Sequence, residues 1–285
     1  NDYTLEPVEE NTTVDVTFQL INYELTWTNI GNGDGTVNDS VEGVFATALC
    51  GDMVQGYVVK AATGSHLTKV VWNNYPIVIG GNIDEWTINI PMTVDATNIN
   101  IQVEFTLDQF TVTAVENDNT MGIVDPSTAT INYNESANID IVSETPGYHI
   151  EKVVCGNDTV LYGTNADTLL TYTVQYVTSD TLVEAFFAIN NYDITVESYT
   201  NGTIEPAETI TVEFGTDTTF TFTPDACYHV EEVLVDGVAI EPVPASYDFV
   251  NVADNHTLAV TFAIDSFAMT ATVNNPAMGE VTGGV

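Results

Sequence analysis

Three histidines recur in one local setting: Ser65-His66-Leu67, Tyr148-His149-Ile150 and Tyr228-His229-Val230. An imidazole can act as a general base or bind a metal. A catalytic histidine, however, stands once in a chain, beside a nucleophile and an orienting acid. Three copies in one setting point to a structural task, and we expect a turn-end ring whose nitrogens bond to backbone. His256, in Asp254-Asn255-His256, reads as a surface turn residue. Paired carboxylates could hydrolyse glycosides. With 41 acidic residues some pair always stands at a workable spacing, and no local sequence marks one out. The chain therefore reads as a non-enzyme with no catalytic residue.

The segment Gly31-Asn-Gly-Asp-Gly-Thr-Val-Asn-Asp-Ser40 places oxygen ligands at alternate positions, as calcium loops do. Asn32, Asp34 and Asp39 are the calcium candidates, and calcium is the one cofactor considered. The segment lacks a distal glutamate, and its Gly35 coincides with a hairpin glycine seen elsewhere in the chain, so an enlarged hairpin is the competing reading. Trp27, Trp72 and Trp86 could stack on sugars, but Trp27 and Trp86 align with apolar positions of the later repeats, which favours core filling. Cys50, Cys155 and Cys227 are odd in number and lack C-x-x-C spacing, which excludes a zinc ribbon or a disulfide framework. They fall one per repeat, so we expect free, buried thiols, with a bond between modules or chains left open.

The charge balance narrows the partners. Three Lys and Arg residues in total stand against the 41 acids, giving a formal net charge of −38. Such a chain cannot neutralise phosphates, which excludes nucleic acid. No apolar run approaches the ~20 residues of a membrane helix, so direct membrane insertion is not expected. The charge suits salty fluid, where screening is strong, and indicates an extracellular or cell-surface location.

The elements that carry these residues repeat. Aromatic-led alternating segments open at Tyr23, Phe110, Tyr192 and Phe267; each is followed by a glycine, Gly35, Gly122, Gly202 and Gly279, with an apolar residue two positions on. Apolar strands close on Phe18, Phe105, Phe187 and Phe262, and each is followed five residues later by the next opening aromatic. The spacing predicts modules at 23–105, 110–187 and 192–262 joined by four-residue links, with 1–18 matching the tail of a preceding module and 267–285 the head of a following one. We expect either a stretch of a longer chain or half-modules completed between subunits. Alternation, threonine content and turn signals such as Asn201-Gly202 predict about seven short strands per module and no helix. The fold class is all-β, a tandem array of small β-sandwich-like or β-grasp-like modules.

The third module reads Asn201-Gly-Thr-Ile-Glu-Pro206, then Tyr228-His-Val-Glu-Glu-Val-Leu-Val-Asp-Gly237, then Asn255-His-Thr-Leu-Ala-Val-Thr-Phe262. It resembles the divergent InlB B-type bacterial repeat. The second module matches over Gly147–Val154, and the first over Gly64–Val71 without the tyrosine. The resemblance implies a spacer or adhesive role in large secreted or surface proteins. Asp-Ser/Thr-apolar triplets place Ser40, Thr159, Thr168 and Thr181, and more loosely Thr218, in a pattern similar to the periplasmic O-glycosylation acceptor of Bacteroidota. The reading is a structural or adhesive stalk segment of a large extracellular bacterial surface or filament protein. Its partners are neighbouring modules, like chains and cell-surface glycans. The alternatives are a filament subunit completed head-to-tail by strand addition, or a calcium- or carbohydrate-binding array.

Overall fold

The structure is a computed structural model that describes residues 10, 13–72, 74–94, 100–271, 278 and 279. It is all-β, with no helix among the described residues. The first repeat carries eight strands: β1 (Asn22–Asn29), β2 (Gly35–Val37), β3 (Gly43–Leu49), β4 (Met53–Ala61), β5 (Ser65–Trp72), β6 (Tyr75–Ile83), β7 (Glu85–Thr93) and β8 (Asn100–Leu107). The second carries β9 (Gln109–Glu116), β10 (Ile123–Asp125), β11 (Thr128–Asn132), β12 (Ala137–Val142), β13 (Tyr148–Cys155), β14 (Asp158–Tyr162), β15 (Leu169–Val174) and β16 (Thr181–Ile189). The third carries β17 (Asn191–Val196), β18 (Gly202–Glu205), β19 (Ile210–Glu213), β20 (Thr218–Pro224), β21 (Tyr228–Val235), β22 (Val238–Ala239), β23 (Ser246–Phe249) and β24 (His256–Ile264).

The first repeat has a five-stranded sheet, β3-β1-β8-β5-β6, and a three-stranded sheet, β2-β4-β7. The third repeats this plan as β19-β17-β24-β21-β22 and β18-β20-β23. By compactness the chain divides into two units: Asn1–Thr113 with Ser127–Ile139 and Thr173–Leu182, and Ala114–Pro126 with Asp140–Tyr172 and Val183–Val285. The division passes through the second repeat. There β9 pairs with β11 in the first unit, while β13 pairs with β14 and β16, and β10 with β12, in the second.

In the first and third repeats the opening and closing strands are parallel neighbours, β1 beside β8 and β17 beside β24. The other strand pairings described within those two repeats are antiparallel. A parallel first and last strand make the chain leave a sheet at the end opposite to its entry. In each of these two repeats the two sheets share one core: Leu25, Trp27 and Val103 of one sheet meet Val54, Val59 and Ile88 of the other, and Ile194 and Leu258 cluster with Phe220 and Phe249. Their alternation along each strand buries one face and leaves threonine and acids on the other.

The repeated glycine and the repeated closing phenylalanine prove to be one feature. A Cβ on Gly35 would lie 2.4 Å from the Phe105 ring, one on Gly122 2.5 Å from Phe187, and one on Gly202 2.6 Å from Phe262. The glycines leave space for the rings. At the Asn201-Gly202 turn the positive φ, +67°, belongs to Asn201, whose short amide tolerates it. Gly202 instead lies in β18.

Residues 13–21 form no strand, and Val14, Val16 and Phe18 are exposed, unlike the closing strands expected from their pattern. Phe267–Ala271 likewise carries no strand, and Phe267 and Met269 are exposed. Among the described residues neither stretch pairs with a partner strand as its counterparts elsewhere do. The remainder of the two end fragments, 1–9, 11–12, 272–277 and 280–285, lies outside the described residues.

Candidate functional site

The repeated histidines mark the joints between repeats, and their partner is the third residue of each four-residue link. His66 Nδ1 donates to Asp108 Oδ1 at 2.8 Å, His149 Nδ1 to Asn190 Oδ1 at 2.7 Å, and His229 Nδ1 to Asp265 Oδ1 at 2.9 Å. This corrects the expectation of backbone partners: each ring holds a side chain of the link. A carboxylate only accepts, so the proton sits on Nδ1 of His66 and His229. Asn190 donates its Nδ2 to Tyr192 Oη at 3.3 Å, which leaves Oδ1 to accept from His149.

The backbone repeats the same clasp. The link N–H groups of Asp108, Asn190 and Asp265 donate to the carbonyls of Gly64, Gly147 and Cys227, at 2.9, 2.7 and 2.8 Å. In the first unit the carbonyl of Asp108 accepts from Tyr133 N; in the second the carbonyl of Asn190 accepts from Phe214 N. The ring of that next-repeat aromatic lies flat on the glycine. A Cβ on Gly64 would meet Tyr133 Cδ1 at 2.0 Å, and one on Gly147 would meet Phe214 Cδ1 at 2.1 Å. Both glycines have positive φ, +79° and +83°, so glycine serves the turn and the close approach together. His149 and Asn190 are 8% and 7% exposed, so this second clasp is a buried, satisfied polar pair. Just beyond each histidine the strand carries a bulge, at Thr68, Glu151 and Glu231, which bends it at the joint.

Two of the calcium candidates already accept backbone N–H groups. Asn32 Oδ1 accepts from Leu107 N, and Asp34 Oδ1 accepts from Gly35 N. Asp39 is exposed in a turn at φ +59°. A shallow depression of about 450 Å³ beside Asp34 is also lined by Lys60, whose ammonium competes with any cation there. No group of three metal-ligating side chains occurs among the described residues. Trp27 and Trp72 are buried, and Trp86 is half-buried against the same core, so these three present no exposed pair for sugar stacking. Of the glycosylation candidates, Thr159 and Thr168 are exposed, while Ser40, Thr181 and Thr218 are half-buried.

The cysteines depart from expectation: Cys50 and Cys227 are exposed and Cys155 is half-buried, all three free. Cys155 lies beside Tyr172; burial first, then the hydrogen bond with this thiol, push the phenol up to about 12. His256 is not merely a surface residue either. It donates Nδ1 to Asp236 Oδ2 at 2.7 Å, and Asp236 Oδ1 accepts Thr257 N at 2.8 Å. Partial burial opposes ionisation of Asp236, but these donors outweigh it and hold the carboxyl below its usual value. Thr164 and Thr120 hold Asp167 and Asp118 low in the same manner, through a hydroxyl and a backbone N–H each.

Sequence reasoning missed the link partners. The signal was present in Asp108, Asn190 and Asp265, each three residues past the closing phenylalanine.

No family model matches the chain, and no curated protein matches it. Among solved structures, that of the Bacillus anthracis TIE protein is similar over 89% of this chain and 59% of that chain, at 10% identity and a TM-score of 0.26. The chain thus spans less than two thirds of the length of that structure.

Proposed function

We propose that this chain is a load-bearing segment of a structural or adhesive stalk in an extracellular bacterial surface or filament protein, of the divergent InlB B-type repeat kind, and that it performs no catalysis. The observation that carries the reading is the clasp, built from the same positions at successive joints: link N–H to the glycine carbonyl, link side chain to histidine, next-repeat ring on glycine. A tether needs none of these contacts; a spacer that transmits force needs its joints held. The parallel first and last strands support the same reading, since pulling on entry and exit loads adjacent central strands in shear. Cell-surface placement rests on the charge balance and on the family resemblance.

The test is small-angle scattering of the whole chain beside a variant carrying His66→Ala and His149→Ala. The expected result is a narrow distribution of interatomic distances for the parent and a broadened one for the variant, with unchanged circular dichroism. A parent profile already matching freely jointed repeats would overturn the proposal.

A further inference from the structure

The outward face of β13, β14 and β16 carries a row of side chains unlike its counterparts in the other repeats. Val153, Ala185 and Phe187 of these strands are buried in the core, so the residues that alternate with them face outward. Across that outward face Tyr162 pairs with Lys152, and Lys152 with Phe186. The equivalent row reads Val78, Lys69 and Glu104 in the first repeat, and Glu232 and Thr261 in the third. Lys69 pairs with its acid at 3.8 Å. Lys152 has no acid opposite it in the row, and its ammonium lies 4.6 Å over the Phe186 ring. The ammonium leans away from Tyr162, which is 79% exposed on the edge strand. One pleat along, Val154 pairs with Glu184 and with Thr159, so a carboxylate and a hydroxyl stand beside the rings.

We infer that this face binds a neutral, flat polysaccharide, with Tyr162 as the stacking platform and Lys152 as the hydrogen-bond donor beside it. The chemistry of the row selects that ligand. A phenol ring offers a negative π face to the C–H groups of a pyranose whose hydroxyls are all equatorial. Phe186 holds the ammonium by cation–π attraction, and the ammonium keeps N–H groups to donate to sugar hydroxyls. Glu184 supplies an ionised acceptor, which takes hydroxyl donors more strongly than a neutral group does. Tyr162 and Phe186 stand two strand spacings apart, about 9–10 Å, so a chain of two or more sugar units spans the row.

Other occupants fit less well. At a net charge of −38 the chain repels anionic polymers and further copies of itself. A protein partner needs a continuous apolar centre, and here a lysine, a glutamate and a threonine interrupt the two rings. A neutral polyol needs one apolar platform and a few directed polar groups that fix its orientation. The inference rests on this face alone and holds whether or not the joints bear load.

The test is native electrophoresis of the full chain through gels with and without hydroxyethylcellulose. The expected result is retardation by the polymer, reversed by free cellohexaose. Tyr162→Ala should weaken binding about tenfold, and Lys152→Gln should weaken it as well, each with unchanged circular dichroism. Tyr75→Ala removes a comparably exposed tyrosine, at 72%, from the first repeat and should leave the retardation as it was. An unretarded parent, equal retardation of the parent and Tyr162→Ala, or retardation by polygalacturonate in place of hydroxyethylcellulose would overturn the inference.

Discussion

Gly147→Ala tests the clasp directly. The new methyl would stand 2.1 Å from Phe214 Cδ1 and 2.3 Å from its Cγ, so the ring must leave the glycine. The backbone adds a second cost: at φ +83° an L-residue is disfavoured by about 1–2 kcal/mol. Phe214 is half-buried. Complete burial of such a side chain contributes about 1.5–3 kcal/mol, so losing the contact costs about 1. Together the substitution should weaken the joint by about 2–3 kcal/mol, which is roughly 30- to 140-fold in its opening equilibrium. Native-state hydrogen exchange reads this locally. The amides to follow are Asn190, bonded to Gly147, and Phe214, bonded to Asn190. Both should exchange faster by that factor, while amides in the core of β20 change little. Phe214→Ala separates the two terms: in that background Gly147→Ala should cost only the backbone part, about 1–2 kcal/mol. Unchanged exchange at Asn190 and Phe214, or equal costs in both backgrounds, would refute the clasp as the element that holds the joint.

Asn190→Leu removes the acceptor of buried His149 and should destabilise by about 1–3 kcal/mol in denaturant melts; Asn190→Asp, which restores the link residue of the other two clasps, should lose less. Asp236 is held low, so its contribution is present above the usual carboxylate value and is lost as pH falls through the lower folded one. Stability measured between about pH 5 and 3 should therefore fall more gently in Asp236→Asn than in the parent, and because the carboxylate is half exposed the difference should be small. All three tryptophans lie in the first repeat with two fully buried, so native emission should be blue-shifted and poorly quenched by iodide, and its loss on denaturation should report that repeat alone.

Much of this architecture was legible because it repeats. The aromatic openings, the glycines and the closing phenylalanines located the strands of three repeats, but as separate markers; only the structure shows Phe105, Phe187 and Phe262 filling the space left by Gly35, Gly122 and Gly202. The histidines announced a structural task without naming their partner, since Asp108 is 42 residues from His66 and Asn190 is 41 from His149. The alternation at Val14–Phe18 carries no strand among the described residues, because alternation specifies a strand only together with a partner to pair with.

The surplus of acid poses a physical question that the strands answer. Carboxylates without basic partners should repel one another across a sheet. Here threonine hydroxyls stand in for the missing cations. Thr211 donates to Asp193 across β19 and β17 at 2.6 Å, Thr219 to Asp248 across β20 and β23 at 2.7 Å, and Thr171 to Asp140 across β15 and β12 at 2.6 Å. Asp180 and Asp217 instead accept the backbone N–H groups of Thr111 and Asn251. Hydrogen bonds to an ionised acceptor are about twice as strong as neutral ones, and a neutral donor satisfies a carboxylate's lone pairs without cancelling its charge. The faces therefore stay anionic while their side chains are held. Three lysines suffice for the same reason: Lys69 pairs with Glu104 at 3.8 Å and Lys152 lies 4.6 Å over the Phe186 ring, so these two are held locally. A sheet surface that is ordered yet uniformly negative repels its neighbours laterally. Association is then favoured only where a specific contact outweighs that repulsion.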